Sequence, residues 1–337
     1  MSTPSPTADQ QARPARQVPP LAKLVGLSAG LGVILVLLLA IFIMPSLKSG
    51  PHDLAVGVVG AEAAAFEDAL ATAAPGAYAT EVFADEAALE TAVRERDVVG
   101  GFVVDGESVE AVVASAGSTA ISATLAATGA AVAEATGATT SVTDVVPLPA
   151  DDPTGIGIGG LAFPLVFGGI VPAVAFRSMF AGRDRWKLAG IVTFAALGGL
   201  IVATVLKFLF GSIETGFLPV AGAMALGIAA LAIPLAGLQQ LFGAKGFTIG
   251  AMTMMFLGNP LAGIATTGDW LPGGLGAFGQ ILPPGAAGTL VRSAAYFDGA
   301  GGATAALTLG AWVLVGVVLH AIGTRKAANS PSETAAA

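Results

Sequence analysis

The chain has 337 residues, 54% of them apolar and only 11% charged, where an ordinary soluble domain carries roughly 25% charged residues. That composition, with a mean hydropathy of +0.80, excludes a water-soluble single-domain enzyme and excludes disorder over most of the length. The net charge of −8 conceals a division: residues 50–154 hold 17 of the 23 acidic residues but only Arg94 and Arg96 of the 15 basic ones, which describes a membrane protein with one acidic aqueous domain rather than a nucleic-acid binder.

In chain order, residues 1–23 form a Pro-rich tail. Lys23 and Lys48 then bracket 24 uncharged residues, 24–47, enough for a first transmembrane helix. The run is too long for a signal-peptide core and no small-residue cleavage site follows it, so it reads as an uncleaved anchor. Residues 48–154 form the acidic insertion. Within it, apolar runs and turn residues predict a strand at 54–60, a helix at 61–73, a strand at 78–84 and a helix at 85–97. A hairpin follows, 98–104 with 108–115 across Asp105-Gly106-Glu107, then an Ala-rich helix at 118–136 and a strand at 141–146. The order is β-α-β-α-β-β-α-β, a small α/β domain.

From residue 155 to 323 the sequence predicts a five-helix transmembrane domain, with helices at about 155–176, 188–210, 217–242, 247–266 and 303–323. Segment 270–291 is also uncharged, but it carries Pro272, Pro283, Pro284 and six glycines. A lipid-exposed helix could not keep its backbone hydrogen bonds there, whereas a re-entrant hairpin packed on protein could. The expected fold is therefore a polytopic α-helical membrane protein of six transmembrane helices plus a re-entrant segment, with the α/β domain inserted between helices 1 and 2. Six spans place Arg13, Arg16 and Lys23, the Arg177–Lys187 loop, Lys245, Arg325 and Lys326 on one side, the cytoplasm. Both termini, including the tail 324–337, are then cytoplasmic and residues 48–154 extracytoplasmic. A seventh span at 270–291 would put Arg325 and Lys326 outside.

Motifs for chemistry are sparse. There is no cysteine, which removes disulfides, thiolate metal sites and cysteine nucleophiles. His52 and His320 lie far apart, and no P-loop, GxSxG or HExxH motif occurs; neither a catalytic residue, a metal site nor a cofactor is assigned. Asp151-Asp152 suits either a metal or acid pair or, more simply, the cap of the second span. The acidic residues of the insertion suit a solvated surface or a cationic ligand such as calcium. Ionisable and amide groups within the spans reduce to Lys207, which is placed to snorkel or to meet a substrate, His320, and Gln239 and Gln240, which read as helix–helix hydrogen bonders. This shortage argues against ion- or proton-coupled transport.

The order of tail, single span, long α/β insertion and five spans with a re-entrant segment resembles the type-2 ABC exporter permease superfamily, in its phage-infection-protein (Pip/YhgE-like) branch of actinobacterial type. The stretches that carry the resemblance are VVPLPADDPTG at 145–155, GNPLAG at 258–263 and LPPGAAGTLVRS at 282–293. The resemblance implies a bacterial plasma-membrane permease subunit. Such a subunit pairs as a homodimer or heterodimer in the lipid bilayer and exports a hydrophobic or amphipathic substrate. ATP acts only through a separate cytoplasmic ATPase. It also implies a docking element, for which Arg177, Arg183, Asp184, Arg185, Trp186 and Lys187 are the candidates, although these basic residues serve equally to set topology. Asn259, Pro260, Pro283, Pro284, Gly285 and Arg292 are the candidates for the re-entrant or gating segment. The chain departs from the family pattern in its Pro-rich residues 1–23, which cannot form an amphipathic N-terminal helix. A non-transporting envelope scaffold or receptor, using the acidic domain, is the competing expectation.

Overall fold

The computed structural model describes residues 19–329; most of the Pro-rich tail and the last residues of the chain lie outside them. It opens with α1 (Pro20–Leu47), so residues 20–23, expected in the tail, belong to the first helix. Proline suits that first turn because its missing N–H has no helical partner there. The helix is apolar on every side and almost bare: Leu31 and Leu37 are 57% and 56% exposed. Its ring contact with the rest of the protein is Phe42 edge-on to Phe256, centroids 6.4 Å apart. An apolar helix left uncovered by protein needs an apolar solvent.

The insertion folds in the expected order: β1 (Leu54–Val59), α2 (Ala63–Ala73), β2 (Tyr78–Val82), α3 (Glu86–Glu95), β3 (Gly100–Val104), β4 (Ser108–Val113), α4 (Thr119–Thr136) and β5 (Thr139–Asp144). The sheet order is β2-β1-β3-β4-β5, parallel throughout except for the β3–β4 hairpin. Asp105 holds that hairpin: its Oδ1 accepts from the backbone N–H groups of Glu107 and Ser108 at 3.1 and 2.7 Å, the local pattern that makes aspartate a turn residue. Asp85 and Ser118 cap α3 and α4 by accepting from Ala88 N–H and Ile121 N–H. One sheet face packs Val56, Val58 and Phe102 against Phe66 and Leu70 of α2 and Leu125 of α4. The other packs Val59 and Val112 against Leu89 and Val93 of α3, and Phe297 from the helical domain completes it.

The helical part contains α5 (Ile156–Gly159), α6 (Ala162–Met179), α7 (Asp184–Thr204), α8 (Phe217–Thr253), α9 (Leu275–Ile281), α10 (Pro283–Tyr296) and α11 (Ala303–Ala328). Among the described residues, five helices are long and apolar enough to cross a membrane: Pro20–Pro45, Ile156–Met179, Asp184–Leu209, Phe217–Gly258 and Ala303–Ala328. α7 runs on through a π-helical turn, Val205–Leu209, and α8 through another, Met254–Gly258.

The expected spans at 217–242 and 247–266 fall in one 42-residue helical stretch, but it is not one rod. Gly243 takes φ 68°, ψ −154°, outside the helical region. Beyond it the chain folds back: a methyl built on Gly250 would lie 2.7 Å from Leu238 Cδ1 and 3.0 Å from a Leu235 methyl, although 12 residues of straight helix span about 18 Å. The returning arm ends at Gly258, about 22 Å after the break, so the expected helix to residue 266 is cut short. The chain turns at Asn259 and reaches Gly263 with φ 61°.

Segment 270–291 becomes a hairpin of two helices, α9 and α10, each too short to span. Four of its six glycines are explained by contact, as at Gly276 or Gly279, where a side chain would overlap the carbonyl of Gly268 or Leu261; Gly273 and Gly274 instead take positive φ. Pro283 and Pro284 open α10 at positions where no intrahelical donor is lost. The tip reaches mid-depth along the bundle, with Pro283, Pro284 and Gly285 of α10 buried and Ile281 of α9 exposed on the outside. Trp312 Nε1–H donates to Ile281 O at 2.8 Å, and a methyl on Gly227 would lie 2.8 Å from Ala287 Cβ. Trp312 and Gly227 lie about 14 and 15 Å along their helices from the ends nearest the α/β domain.

Candidate functional site

The expected site residues separate into three places. At the end of the bundle away from the α/β domain, α7 begins with Asp184, an acidic residue where the helix dipole favours one. Its carboxylate collects three donors: Lys187 Nζ at 2.7 Å, Gln240 Nε2 at 3.3 Å and Thr324 Oγ1 at 3.3 Å. Buried His320 lies within its electrostatic reach. One side chain thus ties α7, α8 and α11 together. The docking candidates Arg177, Arg183, Asp184, Arg185, Trp186 and Lys187 divide here into two sets. Asp184 and Lys187 are half-buried and pair with each other, because Gln240 and Thr324 offer donors that solvent would otherwise supply. Arg177, Arg183, Arg185 and Trp186 remain exposed. Trp186 stacks on Phe180, which stacks on Phe176, each pair 6.2 Å apart. Gln239 is half-buried and outside this cluster.

The second place is the hairpin tip. Asn259 is buried with its Oδ1 unpartnered, and the Asn259-Pro260 turn faces the tip: a methyl on Gly258 would touch Pro284 Cγ at 2.9 Å. Gly285 lies against Gly279 O and the Gln280 amide. Gln280, which the sequence reading passed over, stitches the hairpin: its Nε2 donates to Ala262 O at 3.2 Å and its Oε1 accepts from Thr289 Oγ1 at 2.7 Å. The structure therefore gathers Asn259, Pro260, Pro283, Pro284 and Gly285, but Arg292 is elsewhere, eight residues and about 12 Å along α10.

Arg292 belongs to the third place, the seam between the bundle and the α/β domain. It is 6% exposed and donates from Nη2 to Ile264 O at 2.6 Å; among the described residues it makes no ion pair. Burial lowers it to about 10, and nearby Arg96 pushes in the same direction. Arg96 caps α3 in the left-handed region, φ 64°, with its guanidinium 5.1 Å above the Phe297 ring, a cation–π arrangement. Burial lowers Arg96 as well, with Asp269 opposing. Tyr296 donates to Ser212 O at 2.8 Å, and burial raises its hydroxyl, with Asp152 acting in the same sense.

Asp152 is buried and its two oxygens accept from Ile156 N–H and Gly157 N–H at 2.9 and 2.8 Å. It is the cap of the second span, one of the two uses its sequence allowed. Lys207 bends from its π-helical turn to donate to Glu214 O at 2.8 Å. Among the described residues no group of three or more His, Asp or Glu is placed to hold a metal. The seam was missed in the sequence because Arg96, Asp269 and Phe297 come from three segments with no shared motif. No family model, no curated protein and no solved structure matches the chain.

Proposed function

We propose that this chain is the permease subunit of an ATP-driven exporter for a hydrophobic or amphipathic substrate, working as a dimer with a separate cytoplasmic ATPase. The observation that carries the reading is the α9–α10 hairpin, a broken helical element wedged to mid-depth between long apolar helices. Such elements are tolerated in lipid only where protein covers them, and broken helices at the midplane mark transport sites. The surroundings of the tip are almost free of charge, which suits an apolar cargo better than an ion.

In this reading the fold at Gly243 turns α8 back, and the returning arm, about 22 Å long, is completed as a sixth crossing by the non-helical residues that follow Gly258. The ends carrying Arg177, Arg183 and Arg185, then Lys245, then Arg325 and Lys326 meet on one side, the basic side expected to face the cytoplasm. The Asp184 cluster already joins three of these ends. The exposed Arg183, Arg185 and Trp186 form the docking face for the ATPase, and the Asp184 clasp behind them carries its movement into α7, α8 and α11. The α/β domain lies outside the cell.

The test is purification of the tagged chain in a gentle detergent, with mass spectrometry of what accompanies it. A stoichiometric P-loop ATPase, lost on Arg183→Glu with Arg185→Glu, is the expected result. An ATPase retained by that double variant would sink the docking face. No ATPase, under conditions that keep a known exporter intact, would leave the scaffold or receptor reading in its place.

A further inference from the structure

The seam contains two connected cavities. The inner one, about 60 Å³, is lined by Arg96, Ser118, Thr267 and Asp269 over an apolar floor that includes Phe297. It has room for a few waters or for one acidic group. The outer one, about 540 Å³, shares Arg96 and Asp269 and opens past His52, Asp53 and Asp97, within the size range of small-molecule sites. Two donors on residues that line the inner chamber are buried without partners: Arg96 Nη1, and Oγ1 of Thr267, a residue only 7% exposed. Guanidinium has no acceptor capacity, and a threonine hydroxyl donates as readily as it accepts. What both lack is an oxygen acceptor, and an unmet buried donor is costly. Asp269 stands at the junction, yet it forms no ion pair with Arg96. At the mouth the balance reverses, with Asp53, Asp97 and Asp269 supplying three exposed carboxylates.

We propose that this seam binds a zwitterionic head group, its acidic oxygens on Arg96 and Thr267 in the inner chamber and its ammonium among Asp53, Asp97 and Asp269 at the mouth. The position favours a lipid-borne head. The mouth lies directly after α1, where Gly50 N–H donates to Trp270 O at 3.2 Å, and in the proposed topology this is the outer membrane surface. The inference rests on that reading for the placement in the membrane, and it narrows the amphipathic substrate to one with an ammonium–phosphate or ammonium–carboxylate head.

The experiment is calorimetric titration of the purified full chain, in a maltoside detergent and without ATPase. The probes are dihexanoyl phosphatidylethanolamine, dihexanoyl phosphatidylglycerol and free phosphoethanolamine. Phosphatidylethanolamine should bind saturably and phosphatidylglycerol at least about tenfold more weakly. Arg96→Gln should weaken the ethanolamine lipid roughly ten- to a hundredfold, and Thr267→Val, which removes only a hydroxyl donor, about threefold. Free phosphoethanolamine binding as tightly as the lipid would keep the site and assign it a soluble ligand. Absence of saturable binding by any probe, equal binding of the glycerol lipid, or unchanged affinity in both variants would overturn the proposal. Because no ATPase takes part, these outcomes are separate from those of the pull-down.

Discussion

Asp184 sits in a run of charged residues, Arg183 to Lys187, that looks uniformly solvent-facing on paper. In three dimensions its carboxylate is shared by a lysine three residues on and by donors 56 and 140 residues away. Hydrogen bonds to a charged group contribute about 1.5–3 kcal/mol when buried, and the partial exposure of Asp184 reduces that to about 1 kcal/mol. Asp184→Ala should therefore lower the thermal midpoint in detergent by a few degrees, and Thr324→Val should cost less in that background than in the native one. Strict additivity of the two would mean that the bond between Asp184 and Thr324 carries no energy. Asp152 makes the contrasting case. Its role as a helix cap was legible because a cap is local: the partners are four and five residues ahead. Residue roles settled within a turn of chain could be read from the sequence, whereas those settled across the bundle, such as Asp184, Gln280 and Arg96, could not.

Elements follow the same division. The eight elements of the α/β domain are legible because strand alternation, capping residues and the Asp105 turn are short-range signals. The sheet order is not, since it depends on which faces the helices cover. In the bundle, the break near residue 243 is visible as a loss of hydropathy around Lys245, whereas the stop at Gly258 is marked only by the Asn259-Pro260 dipeptide inside an otherwise apolar run. There Pro284 packs against the end of the helix. The glycines of the α9–α10 hairpin permit a specific test. Gly279→Ala forces a methyl into the Leu261 carbonyl, while Gly222→Ala, in α8, meets nothing within 4 Å. The first should lower folded yield and thermal midpoint sharply. The second should be neutral or stabilising by up to about 1 kcal/mol, since alanine restricts the unfolded chain more than glycine does. Equal effects would mean that the hairpin does not pack as described.

On the scale of the whole molecule, the absence of cysteine makes topology directly measurable. Glu134→Cys on the α/β domain and Lys245→Cys beside the Gly243 fold are both at exposed positions. In intact cells a membrane-impermeant maleimide should label the first and reach the second only after the membrane is opened. The reverse pattern would invert the orientation and with it the side on which an ATPase could dock. The α/β domain is anchored to the bundle through Phe297, Tyr296 and Arg96, so the two parts meet across a seam that is apolar at Phe297 and partly hollow beside it.

The bareness of α1 has a mechanical consequence. In the proposed topology its uncharged run of 24 residues, 24–47, measures about 36 Å, longer than the ~30 Å hydrocarbon layer, an excess that tilting accommodates. Of the other long helices, α7, α8 and α11 are cross-braced by Asp184 at one end, and α10 of the hairpin packs against α6, α8 and α11. α1, touching them through little more than Phe42 and Phe256, takes its angle from the lipid. In that topology any thickening or thinning of the bilayer shifts this one rod against the braced bundle, and the chain leaving its end is held first at Gly50, whose N–H bonds Trp270 O, before it enters the strand that begins at Leu54.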